Sequence, residues 1–143
     1  MQDYETLIAE HDHLTMLAGS LTAIVRGATD PAGVLAVRGS LSMALSDHLS
    51  KEDSFFYEEL LSSRDRDFPA AVEDFQRSFA DLAADWADYL RTWDAECIAA
   101  DWPSFRDETI AIMKRLQSRI AEENGLLYPL ALHKGRIRLR AAA

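Results

Sequence analysis

RIAEENGLLYP, at residues 119–129, places two charged side chains on a helix face that is otherwise apolar. Counted along this part of the chain, the inward residues recur at steps of three and four, which is the spacing of one face of an amphipathic helix. These residues are Ile112, Leu116, Arg119, Glu123 and Leu127. A buried charge is costly unless it is paired. The sequence therefore predicts a core in which another polar group compensates Glu123.

The composition indicates a single globular domain with an acidic surface. Of its 143 residues, 48% are hydrophobic and 27% are charged, as in folded soluble proteins. No apolar run approaches the roughly 20 residues of a membrane helix, so we expect no membrane partner. A formal net charge of −9 argues against nucleic acid as a partner. The single cysteine excludes an internal disulfide and favours a cytoplasmic location.

The apolar spacing predicts an all-α fold, an antiparallel up-down-up-down bundle of four helices. The predicted helices span residues 3–26, 31–62, 69–95 and 104–128. Ser104 and Asp107 resemble a capping box at the start of the fourth helix. That helix is predicted to end near Tyr128, because the residue before a proline resists the helical conformation. The bundle is assigned to residues 1–133, and residues 134–143 form a basic tail without an assigned role.

Polar residues interrupt the predicted inward faces of three helices. His11 lies on the first helix, His48 and Glu52 on the second, and Arg119 and Glu123 on the fourth. His48 and Glu52 are four residues apart, so their side chains project from the same helix face. Imidazole and carboxylate groups are suitable ligands for iron, zinc or manganese. A core histidine bonded to a carboxylate is the alternative interpretation of the same pattern.

Three motifs resemble the hemerythrin-like, or HHE cation-binding, proteins over residues 4–132. The motifs are EHDHL at residues 10–14, DHLSKED at residues 47–53 and AEENGLLYPLA at residues 121–131. They match the family's ligand positions at His11, His48, Glu52 and Glu123. The resemblance implies a four-helix bundle with a non-haem di-iron centre, held by histidines from all four helices and two bridging carboxylates. It also implies oxygen binding, or a role in sensing, iron handling or nitrosative stress.

Two of the histidines that the resemblance implies are missing. The residue four before Glu123 is Arg119, and the third-helix position falls near Phe75 or Phe79. A guanidinium group stays protonated and has no lone pair for a metal. We therefore expect no complete di-iron centre. Instead, we expect Arg119 to replace the metal as the counter-charge of Glu52 and Glu123.

Two functions remain open at this point. The sequence favours a metal-free or weakly metal-binding regulatory module that contacts an unknown protein partner, because Arg119 supplies the missing positive charge. The alternative is a protein that binds one metal ion, with iron implied by the resemblance, for oxygen, nitric oxide or redox sensing. Its ligands are His11, His48, Glu52 and Glu123. An enzyme is not expected, because di-iron catalysis needs a fully ligated pair with open positions. The oligomeric state is not indicated.

Overall fold

A computed structural model describes residues 2–27, 31–52, 67–133, 135 and 137–140. These residues form helices and contain no β-strand, apart from one isolated bridge between Asp3 and Arg138. The helices are α1 (Tyr4–Gly27), α2 (Pro31–Lys51), α3 (Asp67–Thr92), α4 (Ala95–Ala100), α5 (Trp102–Glu122), a π-helical segment (Glu123–Leu127) and α6 (Tyr128–His133). The prediction of an all-α fold is confirmed, while the antiparallel order of four helices stays a prediction.

The long helices form because their apolar residues recur at helical spacing and are buried against one another. α1 contacts both α2 and α5, and α3 also contacts α5. The buried residues of α1 recur at steps of three and four: Leu7, His11, Leu14, Ala18, Leu21 and Val25. No helix in the described ranges has both the length and the apolar character that crossing a membrane requires.

The core consists of two apolar clusters. The larger one includes Trp86, Tyr89, Trp93 and Phe105, and we call it the aromatic region. The smaller cluster comprises Leu7, Leu127, Tyr128, Ala131 and Ile137. On α1, Leu7 belongs to the smaller cluster and Leu14 to the larger one, so His11 lies between them. The inward polar residues therefore occupy a layer between two apolar clusters.

The connection between the third and fourth predicted helices contains a helix of its own, which the sequence analysis missed. Asp94 caps α4 by accepting a hydrogen bond from the Cys97 amide at 2.8 Å. The side chain of Asp101 accepts from the Ser104 amide at 3.3 Å and so caps α5. The predicted capping box that begins at Ser104 is therefore wrong. A short acceptor placed before the first turn satisfies the amide groups that lack partners within the helix.

The predicted end of the last helix at Tyr128 is also wrong. The Tyr128 amide donates to the Glu123 carbonyl, five residues earlier, and α6 continues to His133. Pro129 lies in the first turn of α6, where a missing amide proton is tolerated. The predicted end of the second helix at residue 62 lies outside the described residues, as does the side chain of Phe79.

The residues after α6 return to the start of α1. Gly135 has a φ of 70°, a conformation that glycine adopts without strain. The carbonyl groups of Arg138 and Leu139 accept from the amides of Tyr4 and Glu5 at 2.7 and 3.1 Å. These bonds satisfy two amides in the first turn of α1, which have no partner within that helix. This end of α1 is therefore fixed about two turns before His11.

Candidate metal centre

Four side chains with metal-binding atoms meet in the polar layer. The Nε2 atoms of His11 and His48 lie 3.0 Å apart, and His48 Nε2 lies 2.9 Å from Glu52 Oε1. The His11 Nε2 atom is 3.7 Å from Glu123 Oε1 and 4.0 Å from Glu52 Oε1. All four side chains are buried. Three separate parts of the chain thus bring together the residues that the sequence analysis selected.

Arg119 enters the same layer from α5 and is buried as well. Its Nε atom donates to Glu123 Oε1 at 3.1 Å, and its Nη1 atom donates to the Phe75 carbonyl at 2.7 Å. Arg119 thus bonds the carboxyl group of Glu123 directly, as the sequence predicts. The Oε1 atom of Glu52 instead accepts hydrogen bonds from His48 and Tyr128.

Tyr128 is the central residue that the sequence analysis missed as part of this site. Its hydroxyl group donates to Glu52 Oε1 at 2.5 Å, and its oxygen lies 3.0 Å from His11 Nε2. Its ring stacks on the His11 ring with centroids 4.9 Å apart. Tyr128 follows Glu123 by five residues, and α-helical spacing places those two positions on different faces. The π-helical turn, in which the Tyr128 amide bonds to the Glu123 carbonyl, places both side chains on the same face. The spacing of apolar residues in the sequence does not predict such a turn.

In both histidines, the Nδ1 atom, which faces away from the centre, makes a hydrogen bond that fixes the ring. His11 Nδ1 donates to Asn124 Oδ1 at 2.6 Å, and His48 Nδ1 donates to Glu10 Oε2 at 2.7 Å. Lys51 in turn donates to Glu10 Oε1. Metal-binding histidines commonly have such a partner, which fixes the ring and its tautomer. Glu10 and Asn124 adjoin predicted ligands in the sequence, and this adjacency was the only signal for them.

The two histidines differ in their protonation. Burial lowers the pKa of His11 to about 4, although its bond with Asn124 acts in the opposite direction. Burial also opposes the charge on His48, but the carboxylates of Glu52 and Glu10 outweigh it and raise the pKa of His48. His11 is therefore neutral near neutral pH and can offer its Nε2 lone pair to a metal, whereas the carboxylates at both ring nitrogens favour the protonated form of His48.

The two buried carboxyl groups have opposite pKa shifts. Burial and the adjacent Glu52 charge raise the pKa of Glu123 well above its usual value, despite Arg119. Burial also disfavours the charge on Glu52, but hydrogen bonds from His48, Glu123 and Tyr128 lower its pKa to about 2. The Oε2 atoms of both groups are buried without a donor among the described side chains. Glu123 therefore favours its protonated form beside an ionised Glu52.

The donor atoms fit one metal ion. Two ligands bound to one ion at about 2.1 Å lie about 3.0–3.5 Å apart when adjacent and about 4.2 Å apart when opposite. Four of the separations are 2.9–4.0 Å, close to this range. All four ligand atoms lie within 4.8 Å of one another, so a small side-chain movement would bring them around one ion. Within the described ranges, His11, His48, Glu52 and Glu123 are the one group of three or more such residues close enough to hold an ion. Phe75 packs with the smaller apolar cluster and has no side-chain donor.

Comparison with known families identifies the domain. The hemerythrin HHE cation binding domain matches residues 2–131. This chain belongs to the hemerythrin HHE family. The matched range includes every residue of the candidate centre, together with Glu10, Asn124 and Tyr128. No curated protein and no solved structure matches the chain.

Proposed function

We propose that this hemerythrin-like domain binds a single metal ion, with iron as the ion that its family implies. The observation that carries the proposal is the support behind both histidines. Each directs Nε2 into the centre, while Asn124 or Glu10 holds its Nδ1 atom. His11, His48, Glu52 and Glu123 would hold the ion.

The residues around the centre prepare these ligands and limit their affinity. Asn124 keeps the lone pair of His11 directed inward, and Glu10 orients the ring of His48. The protons on His48 Nε2 and on Glu123 must leave before those groups can act as ligands, so we expect binding to release protons. Arg119 fixes Glu123 but adds a positive charge that opposes a cation. A bound iron ion would supply redox chemistry and a position for a small ligand such as oxygen or nitric oxide.

This arrangement supports a binding or sensing role in preference to an enzymatic one. The four ligands suffice for one ion, whereas a di-iron enzyme requires a fully ligated pair with open positions. We assign the protein to the cytoplasm, because its single cysteine, Cys97, fits a reducing compartment.

A second candidate is a metal-free regulatory module that acts through a protein partner. The observation that favours it is the pairing of Arg119 with Glu123. This pairing gives the buried Glu123 side chain a cationic partner from within the chain.

Metal analysis distinguishes the two candidates. Protein purified without chelators should be titrated with Fe²⁺, Co²⁺ and Zn²⁺, beside the variants His11→Ala and His13→Ala. His13 is the matched control, because it lies on the same helix but is exposed. We expect one ion per chain in the native protein and in His13→Ala, and loss of binding in His11→Ala. Circular dichroism establishes that each variant is folded.

Each alternative outcome has a separate meaning. If the native protein binds none of these ions, the metal-free candidate replaces the proposal. Two ions per chain would contradict the single-ion centre. Unchanged binding in His11→Ala would show that the ion is held elsewhere.

A further inference from the structure

We infer that Tyr128 is a fifth ligand of the centre, which binds the metal ion through its phenol oxygen and biases the site toward ferric iron. The inference rests on the proposed single-ion function and extends it to the oxidation state of the ion. It assigns a role to a side chain that the predicted ligand set does not include.

The first argument is position. The phenol oxygen of Tyr128 lies 2.5 Å from Glu52 Oε1, 3.0 Å from His11 Nε2 and 3.4 Å from His48 Nε2. These separations resemble those between the four predicted ligand atoms themselves. An ion held by His11 and Glu52 therefore has the Tyr128 oxygen among its nearest neighbours.

The second argument is the local backbone. Regular α-helical spacing after Glu123 would direct Leu127 toward the next position on the same face. The π-helical turn instead places Tyr128, five residues after Glu123, on the same helix face as Glu123. Leu127 then packs with Leu7 in the smaller apolar cluster. π-Helical turns are rare and occur frequently at functional sites. Here the turn places an oxygen donor in the centre and an apolar side chain beside it.

The third argument is rigidity. Tyr128 is fully buried, its ring stacks on His11, and it belongs to the same apolar cluster as Ala131 and Ile137. A side chain confined in this way has little freedom to withdraw from an ion that enters the layer. Its orientation is therefore prepared before binding, which lowers the entropic cost of its participation.

The fourth argument is charge. Glu52 and Glu123 supply two negative charges when both are ionised, and Arg119 offsets one of them. A phenolate at Tyr128 would restore the anion that Arg119 neutralises. Anionic oxygen donors favour small, highly charged cations, and tyrosine is the protein ligand of ferric haem in catalase. Binding in this form releases the phenol proton, which Tyr128 now donates to Glu52, to the solvent.

Optical and vibrational spectroscopy tests the inference without relying on activity. We expect the ferric form of the native protein to show a visible phenolate-to-iron charge-transfer band and tyrosinate modes in resonance Raman spectra. Tyr128→Phe should lose both signals and bind Fe³⁺ at least about tenfold more weakly. Its affinity for Co²⁺ should change by less than about threefold, because the four other ligands remain. Tyr89→Phe is the matched control, since Tyr89 is buried but bonds to Thr109.

The outcomes separate this inference from the proposed function. A native protein that binds Co²⁺ but shows no tyrosinate signal with Fe³⁺ overturns the role of Tyr128 and leaves the single-ion centre intact. A native protein that binds no ion overturns the proposed function itself. If Tyr128→Phe does not fold, ring-deuterated tyrosine is used in the native protein and in Tyr4→Phe, Tyr57→Phe and Tyr89→Phe, so that modes kept in all three variants belong to Tyr128. The Raman modes shift with the label if the phenolate is a ligand, and their absence contradicts the inference.

Discussion

Tyr89 and Tyr128 are both buried, yet they belong to regions of the molecule with different physical roles. In the aromatic region, Tyr89 bonds to Thr109 at 2.7 Å and stacks near Trp86, with centroids 5.1 Å apart. Burial raises the pKa of Tyr89, so its hydroxyl group stays neutral. In the polar layer, Tyr128 bonds to an ionised carboxylate and lies against two histidines. The Tyr89 hydroxyl bonds to a neutral threonine, with the Arg38 guanidinium 5.5 Å from its ring centroid, whereas Tyr128 joins a network of carboxyl and imidazole groups.

This difference indicates which region stabilises the fold and which region could bind a metal ion. Burial of large aromatic surfaces is favourable and needs few polar partners. A buried network of charges instead must offset its own desolvation, and an apolar replacement of similar volume is often as stable. We therefore expect the aromatic region to supply most of the stability and the polar layer to supply the metal chemistry.

The largest expected effect on stability is in the aromatic region. Phe105 is fully buried between Trp93 and Trp102, with centroids 5.5 Å from each. Phe105→Ala should lower the free energy of unfolding by about 3–5 kcal/mol, because the substitution leaves a cavity. Urea denaturation measures this loss. Metal stoichiometry should not change under conditions where the variant is folded, and a lost ion would show that the two regions are coupled.

A slightly smaller effect is expected at the edge of the polar layer. Arg119→Leu removes the donor to Glu123 Oε1 and to the Phe75 carbonyl. We expect a loss of about 3 kcal/mol, since the remaining groups stay buried without this partner. The substitution should also raise the already elevated pKa of Glu123, because Arg119 now lowers it.

The dependence on pH provides a second measurement on Arg119→Leu. A carboxyl group with a raised folded pKa reduces stability as pH rises above its unfolded value, 4.5, because the unfolded state ionises first. The deficit of the variant should therefore be greater at about pH 8 than at about pH 5. Thermal melts at both values test this sign. A deficit that shrinks as pH rises would contradict the raised pKa of Glu123.

The smallest effect on stability is expected from a substitution of Glu10, which accepts a hydrogen bond from His48 Nδ1. Glu10→Gln keeps a hydrogen-bond acceptor but removes the charge that helps to raise the pKa of His48. Stability from the charged histidine is complete below its unfolded pKa of 6.5 and is lost as pH rises through the folded value. In the variant, this contribution to stability should be smaller, and its loss should be complete at a lower pH. Metal affinity should fall by about 10–100-fold, and calorimetry measures it beside an exposed control, Glu5→Gln.

The helical fold and most of the candidate site could be predicted because they follow from regular spacing. His11, His48 and Glu52 lie at positions that α-helical periodicity directs inward, and all three are buried. Asn124 and Tyr128 could not be found in this way. Asn124 is directed inward only as the neighbour of Glu123, and Tyr128 depends on a backbone turn outside α-helical periodicity.

Predictions from local sequence signals were also wrong where the same signal is compatible with more than one helix boundary. Ser104 and Asp107 have the spacing of a capping box, but Asp101 lies in the position to accept the hydrogen bond. Pro129 is a sound stop signal within a helix, but it is harmless in the first turn of a new one. Either choice is compatible with the sequence, and tertiary packing selects between them.

The π-helical turn at Glu123–Leu127 also affects how this sequence aligns with a hemerythrin-like chain whose last helix is regular. The turn accommodates one more residue than an α-helical turn in the same place. An alignment without a gap would therefore match every residue after Glu123 to a neighbour one position out of phase. Tyr128 would be compared with residues that face away from the centre. Placing a single-residue gap at Gly125 restores the correspondence, and it gives a way to find relatives that carry the same phenol.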